Sequence, residues 1–387
     1  MRRRLITNIS GKNRPTIPDG YQIAQKIKSN QLASVLLIDN ASVTDLQFFP
    51  TWSENELNVE ILKKDDEKSD VSLDFDDDSI VRLQNLDKDS IVRVFFPQFY
   101  GLDVSLNAGS ITTYDKIEAK CGFVSLHTNS GDLSVKKIRT EQIDLRAGRV
   151  EINAVAEGTV HAECESIEAK QILGPYSKIL SSNDVDIASL YCAKSDIGSM
   201  NGHVRIGTLQ GSSKIRNAVG DVRVDSAVGE LDIVSDDGDV LVHLDKCIQG
   251  AKHNLSASTG RVEITAATPC NARADFSIFP DCDGEIVCDT NDALTTESRT
   301  EFHAENASSE SLLGVISDSG ASSSQKTTGK ISEAGRDMAA LMSAGGDVDS
   351  NEICLLQVTA SRGIEFKTKS WREMMEERMR MFSSSST

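Results

Sequence analysis

Six histidines (His127, His161, His203, His243, His253, His303) and eight cysteines (Cys121, Cys164, Cys192, Cys247, Cys270, Cys282, Cys288, Cys354) are the side chains best suited to ligate a soft metal or act as base and nucleophile. Their spacing supports neither use. A structural zinc site needs paired ligands a few residues apart. The nearest approach, Cys270, Cys282, Cys288 and His303, contains no such pair. No H-E-x-x-H pair and no G-x-S-x-G elbow occurs. Most cysteines instead fall within or beside apolar runs, where a free thiol acts as a small hydrophobe in a reducing compartment. Cys288 takes the place of an inward Ile. His127, His203 and His243 read as surface residues.

Acidic residues offer a second kind of chemistry. Asp236-Asp237-Gly238 and Asp281-Cys282-Asp283-Gly284 resemble pieces of a calcium loop, but the end ligands are missing. The first and twelfth positions are Ile233 and Leu244 in one case, Phe279 and Thr290 in the other. Asp76-Asp77-Asp78 reads as a solvated turn. Gly329-Lys330 lacks the upstream glycine of a phosphate loop. Outward positions include Asp132, Glu151, Asp232 and Glu263, interspersed with Arg149 and Arg223. Mixed signs without aromatic neighbours suit a solvated strand surface better than a sugar-cleaving groove. The expectation is no catalytic, cofactor-binding or metal-binding residue, and no enzymatic activity.

The elements that position these residues share a five-residue phrase: a glycine, a mostly polar residue, then apolar, polar and apolar. It appears as GFVSL from Gly122, GDLSV from Gly131, GRVEI from Gly148, GHVRI from Gly202, GDVRV from Gly220, GELDI from Gly229, GDVLV from Gly238 and GRVEI from Gly260. Period two makes each copy a short strand with one apolar edge, and the glycine suits the turn before it. KIEAK (116–120), QIDLR (142–146), SIEAK (166–170) and DVDIA (184–188) form a second phrase without glycine. Two arms of about nine residues predict a coil of about eighteen to twenty, stacked on its neighbours. Val222 and Val224, Leu231 and Ile233, and Val240 and Val242 would form its interior ladders. An aromatic content of only 5% suits so thin a core. The fold class expected is all-β, a single-chain β-solenoid.

Six segments follow from the pattern. Residues 1–20 are a basic tail or transit-like segment, with Arg2, Arg3, Arg4, Lys12 and Arg14 before the first acid at Asp19. Residues 21–100 are an N-terminal β cap that covers the first open coil. Residues 101–290 hold the repeats, and 291–344, rich in Ser and Thr, read as a low-complexity insertion, a loop or disordered excursion. Residues 345–369 resume the coils. Residues 370–387 form a short helix and tail, opened by a Ser370–Glu373 capping box. Trp371, Met374, Met375, Met379 and Phe382 follow at helical spacing, so the helix closes the last coil or binds a partner.

The G-x-V-x-I phrases, the I-x-A-K segments, the interrupted carboxyl end and Trp371 resemble the putative-adhesin β-solenoid domain family, a domain of unknown function, in its animal branch (family with sequence similarity 185). The resemblance covers roughly residues 90–370. It implies a right-handed, mostly β stack without established activity, and it carries no functional residue onto this chain. A net charge of −18 repels phosphate backbones and anionic lipid, so nucleic acid is not an expected partner. Leu32–Ile38 is too short to span a membrane. No secretory signal is visible, and the expected location is intracellular, cytoplasmic or mitochondrial. The function expected is a non-enzymatic scaffold or protein-interaction module, its partner and oligomeric state left open. The alternative is a carbohydrate-binding or polysaccharide-lyase-type β-helix.

Overall fold

The computed structural model describes residues 16–29, 33–52, 56–64, 70–76, 80–248, 250–267, 272–279, 282, 284–290, 293–303, 307–317, 325–329, 354–370, 372–373 and 376. These form a nearly all-β stack in which strands pair in parallel from one coil to the next, as the phrase predicts. The central coils are β8 (Phe123–Thr128), β9 (Asp132–Ser181), β10 (Val185–Ser199), β11 (Val204–Val219), β12 (Val222–Val228), β13 (Leu231–Asp237), β14 (Val240–Leu244), β15 (Lys252–Ala257) and β16 (Arg261–Ala267). β9 to β11 continue around corners and supply more than one arm each. One arm aligns Val185, Val204, Val222, Val240 and Val262. The other aligns Ile179, Ile197, Ile215, Ile233 and Leu255. All ten side chains are at most 2% exposed. Each contributes on the order of 1.5–3 kcal/mol by leaving water.

Two devices make the corners. The phrase glycines stack: a Cβ on Gly220 would lie 2.5 Å from the Gly202 carbonyl oxygen, and one on Gly238 would lie 2.1 Å from that of Gly220. Both also have positive φ, +113° and +150°, so only glycine lets successive turns approach this closely. The residue after the glycine, and Asp184 after Asn183 at the corner one coil earlier, then supplies an acceptor. Asp184 Oδ1 accepts the His203 backbone N–H at 2.9 Å, and His203 Nδ1 accepts that of Asp221 at 3.1 Å. Asp221 Oδ1 accepts that of Asp239, and Asp239 Oδ1 that of Arg261, both at 2.9 Å. These side chains satisfy corner amides that would otherwise lack an intramolecular acceptor.

The two ends depart from sequence order in the same way. β2 (Val35–Thr51) lies between β7 (Gly101–Ile117) on one side and β5 (Ile80–Gln84) with β6 (Ile91–Pro97) on the other. Antiparallel strands then finish that end: β3 (Leu57–Lys63) on β6, β4 (Ser72–Phe75) on β5, and β1 (Gln22–Ser29) on β3. The predicted cap region therefore divides into three capping strands and three strands of the stack proper. At the far end β22 (Cys354–Ala360) and β23 (Gly363–Lys369) insert between β15/β16 and β17 (Ala272–Ile278) with β18 (Glu285–Thr290). β20 (Ala307–Ser317) pairs antiparallel with β17, β19 (Ala293–His303) with β20, and β21 (Gln325–Gly329) with β18.

This far end corrects one expectation. The described parts of 291–344 are antiparallel strands, not a loop or disordered excursion. They occupy the edge that an open parallel coil would otherwise present. The last coil in sequence is also internal in space, with β23 between β16 and β18. The capping box itself is present: Ser370 donates its backbone N–H to Glu373 Oε2 at 2.8 Å, and Glu373 N–H donates to Ser370 Oγ at 3.3 Å. Arg372, Glu373 and Glu376 are helical. Trp371, Met374, Met375, Met379 and Phe382 lie outside the described residues.

Candidate interaction face

Alternation in the second arm aims one set of side chains outward as ordered rows. In one row Lys178, Asp196, Lys214, Asp232 and Asn254 stand in register, and in the next Leu180, Gly198, Arg216 and Val234. Earlier coils continue the face with a charged cluster. His127 Nε2 lies 3.1 Å from Asp144 Oδ2, and His161 Nδ1 lies 3.5 Å from Asp144 Oδ1. His161 Nε2 is 3.4 Å from Glu163, and Arg146 Nε is 3.6 Å from both Asp144 and Glu163. Partial burial alone would raise the Asp144 pKa. The hydrogen bond and charge of His127, with Arg146 and His161, outweigh burial and hold it below its ordinary value.

That cluster does not form a hydrolytic relay. Ser125 Oγ contacts the same His127 Nε2, at 3.4 Å, that faces Asp144. A base must face its nucleophile and its orienting acid through different nitrogens. Arg146 places a positive charge among the would-be metal ligands, and among the described residues no group of three or more His, Cys, Asp or Glu could hold a metal.

Two shallow grooves lie along the same strands. The apolar one, of about 530 Å³, is lined by Cys164, Leu180, Gly198, Met200 and Val234, with Glu163 and Asp236 also in its wall. Leu180 is 40% exposed and Met200 63%. Gly198 leaves a notch that the neighbouring side chain overhangs, since a Cβ there would meet Leu180 Cδ2 at 3.2 Å. Burial raises the Cys164 thiol to about 11, so it is a packing group and not a thiolate nucleophile. The polar groove, of about 660 Å³, is lined among others by Tyr176, Lys194, Lys214, Asp232, Lys252 and His253. Arg216, in the apolar groove wall, donates to Asp232 of the polar one at 2.5 Å, so this pair joins the two.

The predicted outward residues are spread over the surface and mostly paired locally. Arg149 pairs with Glu168 at 3.1 Å, Arg223 with Asp225 at 2.6 Å, and Glu263 with Lys367 at 3.6 Å. Glu151 Oε2 accepts from Ser134 Oγ at 3.5 Å, and Asp132 donates its backbone N–H to Ser110 Oγ at 3.3 Å. Asp237 accepts the Thr259 hydroxyl at 2.7 Å, as a surface turn would. His203 is solvent-facing as expected, whereas His253 is 2% exposed. Cys121, Cys164, Cys192, Cys282 and Cys354 are free thiols, but Cys247 is disulfide-bonded, which corrects the expectation of free thiols throughout. Residues 1–15, Asp77, Asp78, Cys270, Asp281, Asp283, Lys330 and the side chains of Cys288 and His303 lie outside the described set.

The Toastrack DUF4097 family model matches residues 49–321, well over half of the sequence. The chain belongs to the Toastrack DUF4097 family. The match begins and ends earlier than the roughly 90–370 expected, taking in much of the amino-terminal cap and stopping before the carboxyl-terminal coil. Among solved structures, a putative adhesin from Parabacteroides distasonis is 12% identical, with TM-score 0.35, covering 56% of this chain and 96% of that one. A putative adhesin from Parabacteroides merdae is 12% identical, with TM-score 0.34 and coverage of 62% and 95%. A putative cell adhesion protein from Clostridium sporogenes is 10% identical, with TM-score 0.17 and coverage of 89% and 99%. No curated protein matches the chain in sequence. No helix among the described residues is long and apolar enough to cross a membrane.

Proposed function

We propose that this Toastrack protein is a non-enzymatic interaction module whose protein-binding surface is the outward face of the second arm. The observation that carries the reading is the apolar groove, where Leu180 and Met200 stand exposed beside the Gly198 notch. Contiguous exposed apolar surface with a polar rim is the usual mark of a protein contact. The single-nitrogen contacts of His127 and the elevated Cys164 thiol support the absence of catalysis. Affinity capture with the full chain and with a Leu180→Asp/Met200→Glu variant tests it. A partner retained by the first and lost by the second supports the reading; identical retention by both contradicts it.

A carbohydrate-binding surface is a second reading, supported by the polar groove, where lysines and carboxylates of adjacent coils meet. Within the family we assign the chain to the animal branch on its interrupted carboxyl end and Trp371. We further propose an intracellular location, cytoplasmic or mitochondrial, on the free thiols of Cys121, Cys164, Cys192, Cys282 and Cys354.

A further inference from the structure

We infer that the outer face of β3, β6, β2 and β7, at the amino-terminal end of the stack, is a docking surface whose occupant is the chain's own basic segment, residues 1–15, laid across it as a strap. The surface is remote from the proposed groove, and the inference is independent of that reading. Position is the first argument. Arg93 Nη2 donates to the Thr16 carbonyl oxygen at 2.9 Å, so the described chain begins on this face. Arg93 points outward, because its neighbours Val92 and Val94 lie in the core. It is nevertheless 2% exposed.

Burial of the whole face is the second argument. Register places Glu60, Arg93, Gln47 and Thr112 side by side in one outward row, and Asn58, Phe95 and Phe49 in the next. Glu60, Arg93, Gln47 and Phe49 are at most 8% exposed. Outward residues of the central coils, such as Lys178, Asp196, Lys214 and Asp232, are half-buried or exposed. A sheet face this enclosed belongs under a covering layer. Three steps of about 4.8 Å separate β3 from β7, about 14 Å in all, and fifteen extended residues reach about 50 Å. Chemistry is the third argument. Phe49 stacks on Phe95, with centroids 4.9 Å apart, and on Tyr114 at 4.5 Å, and Tyr114 keeps 38% of its surface exposed. On the same side of β2, Asp45 Oδ2 accepts from Gln47 Nε2 at 2.6 Å, while Oδ1 is buried and accepts no hydrogen bond. Burial raises the Asp45 carboxyl, and burial followed by the charge of Asp45 raises the Tyr114 phenol, as expected of an acid short of donors beside the ring. The cations already on the face are engaged: Arg93 also donates to Gln47 Oε1 at 3.1 Å, and Lys26 pairs with Glu60 at 3.1 Å. An orphan acceptor beside an aromatic ladder calls for a guanidinium and apolar groups. Residues 1–15 carry Arg2, Arg3, Arg4, Lys12 and Arg14 with no acid, together with Leu5, Ile6 and Ile9.

Photo-cross-linking of the full chain tests the proposal. Benzoylphenylalanine replaces Tyr114 in one sample and, as a control on the central coils, the 46% exposed Val219 in another. Each is irradiated in dilute solution, and the products are sized and mapped by peptide mass spectrometry. The same probes are read in a second background, Arg2→Gln/Arg3→Gln/Arg4→Gln/Lys12→Gln/Arg14→Gln, with thermal unfolding to verify that every sample folds. The expected result is a cross-link from position 114 into residues 1–15 of the same molecule, absent from position 219. Its yield should fall about fivefold or more in the glutamine background, the effect of losing roughly one favourable contact. No cross-link from position 114 into residues 1–15 overturns the proposal. Equal yields from the two positions, an unchanged yield in the glutamine background, or products that join two copies of the chain also overturn it.

Discussion

At the scale of single residues, His253 is the position where the repeat breaks its own rule. Its register neighbours are Leu231 and Leu356, both inward and buried. Burial lowers the His253 pKa to about 4 from an ordinary value of 6.5. Above pH 6.5 the imidazole is neutral in both folded and unfolded chains and titration contributes nothing. As pH falls from 6.5 towards 4, the unfolded chain takes up a proton that the folded chain refuses, so stability is lost at about 1.4 kcal/mol per unit. Urea unfolding should show the native protein losing about 2 kcal/mol more than a His253→Leu variant between pH 7 and pH 5; equal losses would contradict this burial. The phrase glycines were legible in sequence because five of them, Gly122, Gly131, Gly220, Gly229 and Gly238, have a positive φ that leaves few alternatives. His253 was not, because H-N-L-S preserves the alternation while placing a polar ring at an apolar site. The cluster of His127, Asp144 and His161 was hidden similarly: the residues recur every 17 positions, a spacing that means contact only once the coil length is known.

At the scale of elements, the side-chain ladder at the corners explains why Asp or His so often follows the phrase glycine. Asp221 is its clearest rung, since its Oδ1 accepts from Asp239 while its own N–H reaches His203 Nδ1. Asp221→Ala should destabilise by about 1 kcal/mol, the usual net worth of such a bond. Asp221→Asn keeps an acceptor oxygen and should avoid most of that loss. Thermal or urea unfolding of the two variants checks the order, and equal destabilisation would refute the ladder. Arms in the repeat zone could be read from period two because alternation fixes which edge is buried. The strands of 291–344 could not, since Ser- and Thr-rich segments carry little apolar alternation and are selected by the edge they cover.

At the scale of the whole molecule, both ends place one coil out of sequence order and finish with antiparallel strands. Periodicity reports that a segment is a strand and which way it faces; it does not report which coil it lies beside. The column was therefore legible and its order was not. For the same reason the interaction face was not foreseen as a unit, although Asp232 was named, because its rows draw on residues about eighteen positions apart. The account rests on that column and its order. Pulsed electron paramagnetic resonance tests both, with one spin label at Glu168 and a second at Glu263, Glu365 or Val287, in a background lacking the exposed Cys121 and Cys282. Registered steps separate Glu168 from these positions by five, six and seven coils. At about 4.8 Å per coil the expected distances are about 24, 29 and 34 Å, with residue 287 farther than residue 365. Three similar distances, or residue 287 nearer than residue 365, would contradict the account.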